Sequence, residues 1–142
     1  MNTRTSANEN VVGQMIAVFP NPPSIDLART LDLAGYRWKA VSSADDAAKS
    51  EPVEGWAGAV VMCDEDPEGG WALCRSLRKN DNPVGHVLVL VSGAQLADLE
   101  MRDDLFDDFC LSPFHPRELE SRLRHMFFTE IRGTRESLVE YS

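Results

Sequence analysis

"HVLVLVSG", residues 86–93, is the stretch from which the architecture of this chain is read. From Val87 to Val91 every residue is aliphatic, with no polar residue in between. A strand with one wet face alternates apolar and polar side chains. An unbroken run is covered on both faces, the habit of parallel strands packed between helices. Ser92 and Gly93 end the run.

Outward from this strand the chain alternates. Upstream, Gln14–Phe19 (QMIAVF), Arg37–Val41 and Ala57–Met62 (AGAVVM) read as strands, and downstream so does Phe106–Leu111. Helical segments separate them. Pro23–Ala34 carries Leu27, Ala28, Leu31 and Ala34 on one stripe and ends at Gly35. Ser43 with Asp46 resembles a capping box that opens a short helix. Cys63–Gly70 (CDEDPEGG) reads as an acidic loop, after which Trp71–Lys79 is helical with Leu73, Cys74 and Leu77 inward. Ala94–Met101 is a weakly patterned helix, and Pro116 opens the last one, with Leu119, Leu123, Met126 and Phe127 as its stripe. Five β–α alternations predict an α/β domain: a doubly wound, five-stranded parallel sheet of the flavodoxin-like kind.

Length and composition agree. The chain has 142 residues, enough for one domain with a real core. Its net charge of -9 repels phosphate backbones and argues against direct nucleic-acid binding. No apolar run approaches membrane-spanning length. Cys63, Cys74 and Cys110 are odd in number and lack metal-ligand spacing, as expected of reduced thiols in a cytoplasmic protein. His86, His115 and His125 are equally scattered. Residues 1–12 are expected to form a disordered N-terminal segment, 13–130 the domain, and 131–142 a linker or tail.

In an open parallel sheet, ligands gather at the carboxyl ends of the strands. Those ends hold Phe19, Pro20 and Asn21, then Met62, Cys63 and Asp64, then Ser92, then Ser112. Phosphoryl or metal chemistry there needs carboxylates for the cation and a lysine or arginine for the anion. The set offers one carboxylate and no basic residue. Asp64, Glu65, Asp66 and Glu68 lack EF-hand spacing and read as a solvated loop. The reading calls for no metal ion, no cofactor and no enzymatic activity.

"DDFCLSPFHPRELESRLR" (Asp107–Arg124) resembles the Asp-Asp-Tyr-x-x-Lys-Pro-Phe-x-x-x-Glu-Leu-x-x-Arg signature of bacterial response-regulator receiver domains, their OmpR/PhoB branch above all. "CRSLR" (Cys74–Arg78) and the preceding Gly70 match that family's third helix. The closest arrangement is that of atypical, GlnR-like regulators with a degenerate pocket. The resemblance covers about residues 14–128 and implies the (βα)5 receiver fold.

The departures fall on the residues that run the family's phosphoryl switch. The magnesium-binding acidic pair corresponds to Phe19 and Pro20, followed by Asn21. The invariant lysine corresponds to Ser112, and the hydroxyl residue after strand four to Ser92. The phosphoacceptor falls on Met62 by an ungapped count, and on Asp64 if the loop is two residues shorter. Phe109 matches the aromatic switch residue, and Pro113 the proline whose peptide bond the family holds cis.

Glu118 and Arg122 stand four apart on one helix, which suits an intrahelical pair. The resemblance implies a further role. Arg102, Asp107, Asp108, Arg117, Glu118 and Arg122 would form a two-fold dimer face built from helix four, strand five and helix five. The expected function is that of a non-enzymatic, phosphorylation-independent regulatory and dimerisation domain in transcription. Its expected partners are a second copy and a winged-helix DNA-binding domain absent from this chain. Two other readings stay open: a phosphoacceptor that uses Asp64, and a monomeric protein-interaction module.

Overall fold

The structure is a computed structural model and describes residues 14–127. Five strands form one sheet in the order β2-β1-β3-β4-β5: β1 Met15–Phe19, β2 Arg37–Ala40, β3 Gly58–Met62, β4 Val87–Val91 and β5 Asp108–Leu111. Every neighbouring pair is parallel, with Phe19 opposite Val61, Met62 opposite Leu90, and Val91 opposite Leu111. This is the doubly wound, flavodoxin-like arrangement that the strand pattern predicts.

Alternation of side chains makes two cores. Ile16, Val18, Val60, Met62, Leu88, Leu90 and Cys110 face α1 (Ile25–Leu33) and the last helix, residues 116–127, through Leu27, Leu31, Leu119 and Leu123. Ala17, Phe19, Ala59, Val61, Cys63, Val87, Val89 and Val91 face α2 (Ala44–Ser50) and α3 (Pro67–Lys79) through Ala47, Leu73, Cys74 and Leu77. β3 and β4 are buried at every position, as the run Val87–Val91 requires. No helix among the described residues is long and apolar enough to cross a membrane.

The helix starts differ from the sequence reading in informative ways. Gly69 and Gly70 belong to α3 and not to the preceding loop, because Asp66 caps the helix by accepting a hydrogen bond from the Gly69 amide at 3.1 Å, with Pro67 at the first position. The expected Ser43–Asp46 capping box is half realised. Ser43 accepts from the Asp46 amide at 3.0 Å, but the Asp46 carboxylate turns back to the amide of Ser42 at 2.9 Å. That bond, first among the causes, holds the Asp46 carboxyl below its ordinary range. The fourth helix, Gly93–Arg102, is a 3-10 helix, and only Leu99 along it is buried. The end of α1 follows expectation: Gly35 takes a φ of 86°, which a glycine adopts without strain.

At the amino edge of the sheet, Phe127 closes the core. Its ring lies 5.7 Å from Tyr36 and 5.5 Å from His86. It is also why position 58 is glycine: a methyl group there would stand 2.5 Å from the Phe127 ring and 2.8 Å from the His86 carbonyl. The expectations for residues 1–12 and 131–142 lie outside the described residues.

Candidate functional site

The sheet order reverses direction between β1 and β3, so the crevice of the fold opens at their carboxyl ends. Phe19 ends β1 and is 2% exposed. Its ring turns toward the first turn of α3, where a methyl added at Gly69 would come within 3.0 Å of Phe19 Cζ. Met62 ends β3 and is 2% exposed, facing the opposite core. The crevice is thus flanked below by two large apolar side chains. Pro20 and Asn21 follow, with cis bonds at Phe19–Pro20 and Asn21–Pro22.

Cys63 is fully buried beside α3. A hydrogen bond with the Cys74 thiol, then burial, pushes its own thiol far up, so it is held protonated and unreactive. A methyl at Gly70 would meet Cys63 Sγ at 2.9 Å. The two glycines of α3 therefore let the helix sit down on Phe19 and Cys63.

Asp64 is half-buried at the mouth. Its amide donates to the Leu90 carbonyl at 3.0 Å, while its Oδ1 is shielded and has no hydrogen-bond partner among the described residues. Ser92 and Ser112 are half-buried at the ends of β4 and β5, and the Ser112 amide donates to Val91 at 2.8 Å. The Ser112–Pro113 bond is cis. Among the described residues, no three His, Cys, Asp or Glu side chains are placed to hold a metal ion together.

One contributor escaped the sequence reading. Gln95 accepts from the Ser92 amide at 2.8 Å and donates to the Cys63 carbonyl at 3.0 Å, tying the 3-10 helix to the end of β3. Its signal was present as a Ser-x-x-Gln capping spacing, masked by the weak apolar pattern that follows.

The residues expected on the dimer face divide into two groups. Asp108, Glu118 and Arg122 come together at the outer edge of the sheet, beside the Phe109 ring. Arg122 pairs with Asp108 at 3.0 Å and Glu118 at 3.1 Å. The other three point elsewhere. Asp107 pairs with Arg78 at 3.0 Å and accepts from the Val87 amide at 2.7 Å, at the amino end of β4. Arg102 stacks over Trp71 at 4.9 Å, and Arg117 lines a groove of about 210 Å³ between α1 and the last helix.

No protein-family model matches the chain. Solved structures do. One is the receiver domain of a sensor histidine kinase from Pseudomonas aeruginosa, described with a magnesium ion in its active-site cleft. It is 21% identical with a TM-score of 0.65, over 80% of this chain and 97% of that one. The response regulator DrrB of Thermotoga maritima, an OmpR/PhoB homologue, is 20% identical with a TM-score of 0.65, over 84% of this chain and 54% of that one. NtrX from Brucella abortus is 16% identical with a TM-score of 0.69, over 89% of this chain and 29% of that one. These likenesses establish that the chain has the fold of response-regulator receiver domains.

Proposed function

We propose that this chain is a receiver-like regulatory and dimerisation domain of an atypical response regulator, of the OmpR/PhoB branch and GlnR-like in its degenerate pocket. In this reading it is cytoplasmic, non-enzymatic and works in transcription without a phosphoryl switch. The observation that carries the reading is the side chain at the end of β1. Phe19, at a position where the family has a magnesium-binding carboxylate, is a buried aromatic ring packed on α3.

The Pseudomonas aeruginosa receiver domain holds magnesium in its cleft. The residues at this chain's crevice do not fit that cation. Magnesium takes oxygen ligands in near-octahedral order, usually with one or two carboxylates. Here Asp64 is the single carboxylate offered, beside Phe19, Pro20 and Met62. Ser112, in the lysine's place, supplies no positive charge for a phosphoryl oxygen. Preorganised charge is the main source of stabilisation in phosphoryl transfer, and this crevice has little of it.

For dimerisation, the support lies in the charge and exposure of the outer edge. The 3-10 helix and β5 expose Leu96, Met101 and Leu111, at 40%, 87% and 44%. Asp108, Glu118 and Arg122 at the edge of β5 offer both charge signs, which a two-fold contact requires. The output domain of this reading is a winged-helix DNA-binding domain joined after the last helix. The partial coverage of DrrB and NtrX is consistent with that, since each is longer than the matched part.

Sedimentation equilibrium at micromolar concentration tests the proposal. A dimer of the same mass is expected with and without prior incubation with phosphoramidate and magnesium, and Arg122→Glu should weaken it. A strict monomer unchanged by Arg122→Glu contradicts dimerisation. A dimer that forms only after phosphodonor treatment contradicts constitutive assembly.

One observation favours the phosphoacceptor reading: the shielded, unpartnered Oδ1 of Asp64. On that reading a phosphate adduct forms and is lost in Asp64→Asn.

A further inference from the structure

β5 is the outer strand of the sheet, so one side of its backbone has no strand neighbour. Bare edges of this kind invite pairing with other chains and are commonly covered. Cys110 turns into the core beneath the last helix, whereas Phe109 packs against the core on the other face. Arg122 belongs to the last helix, yet its guanidinium lies 5.9 Å from the centroid of the Phe109 ring. The side chain therefore passes round the edge of β5.

Three bonds hold it there. Nη1 donates to Asp108 at 3.0 Å, and Nε and Nη2 donate to one Glu118 oxygen at 3.2 and 3.1 Å. Partial burial draws the guanidinium pKa down, but the Glu118 and Asp108 contacts outweigh it and the net shift is upward. Phe109 also meets Phe106 edge-on, at 6.5 Å and 88°. Phe106 in turn lies 6.1 Å from Trp71, whose ring carries Arg102. A ring in contact with both a cation and an edge-on aromatic neighbour is restrained by each.

We propose that Arg122 is a strap that closes the free edge of β5 and holds the Phe109 ring in a single position, so that this face keeps one conformation without an input signal. Only the last clause rests on the phosphorylation-independent reading above. Arg122 acts here as a positioning residue, and the planar guanidinium is essential to it. An ammonium could pair with Asp108 but could not also offer a flat fork to the ring and to Glu118.

The test is fluorine NMR on the full chain labelled with 4-fluorophenylalanine. The Phe109 resonance is assigned as the line missing from Phe109→Leu. One narrow Phe109 line is expected in the parent protein. In Arg122→Gln that line should shift and broaden while the phenylalanine lines other than that of its ring neighbour Phe106 hold their places. Asp108→Asn should move the same line to a lesser degree, and Arg122→Lys should not restore it. A Phe109 line of unchanged position and width in Arg122→Gln overturns the strap. Should that variant not fold, Asp108→Asn carries the same test. Sedimentation of the same samples separates the two claims. A monomer whose Phe109 line responds to Arg122→Gln keeps the strap and removes the dimer.

Discussion

Phe19 and Tyr36 show how single side chains set the two ends of this sheet. At the carboxyl end Phe19 places an aromatic ring against α3, and the apolar residue there can be read directly from "VFPNPP" (Val18–Pro23). Its seat on Gly69 cannot be read, because that contact joins β1 to α3 across the fold. At the amino end Tyr36 packs on Phe127, and burial pushes its phenol up to about 12 from 10.0. The folded state therefore favours the neutral phenol more than the unfolded chain does. Its contribution to stability is complete below pH 10.0 and is lost as pH climbs toward about 12, because the unfolded chain ionises first. Urea midpoints on either side of that window should fall more in the parent protein than in Tyr36→Phe. An equal alkaline loss in both would contradict this assignment.

Among the elements, α3 is the one whose start the sequence conceals. "CDEDPEGG" (Cys63–Gly70) is rich in acidic residues and breakers and reads as a loop, yet Asp66-Pro67 is a helix start with cap and first-turn proline in order. The two glycines that suggest a loop are packing notches for Phe19 and Cys63. Asp66→Ala removes the cap and is expected to cost about 1 kcal/mol, read as a lower urea midpoint with an unchanged slope. A loss no larger than experimental scatter would mean that the first turn is held by packing alone. The fourth helix was harder to read for a different reason. Its weak apolar pattern matches a 3-10 helix with Leu99 alone buried, tied down by Gln95 and not by a stripe.

For the whole molecule, the unbroken strand Val87–Val91 and the β–α alternation were enough to read a doubly wound sheet. The order of its strands was not, since order depends on which crossovers pack and no local pattern records it. The charged groups of the outer edge were legible as residue types but not as pairs. Asp107 and Asp108 are neighbours in sequence, yet one reaches Arg78 and the other Arg122, because Asp107 stands in the bend before β5, against the start of β4, while Asp108 opens the strand. What remains is a receiver fold whose crevice is bounded by Phe19 and Met62 and keeps one carboxylate, Asp64. The most direct measurement is intact mass after incubation with phosphoramidate and magnesium. An unchanged mass is expected, for the parent protein and for Asp64→Asn alike. A stoichiometric phosphate adduct on the parent protein, absent from Asp64→Asn, would contradict the claim that this fold works without a phosphoryl switch.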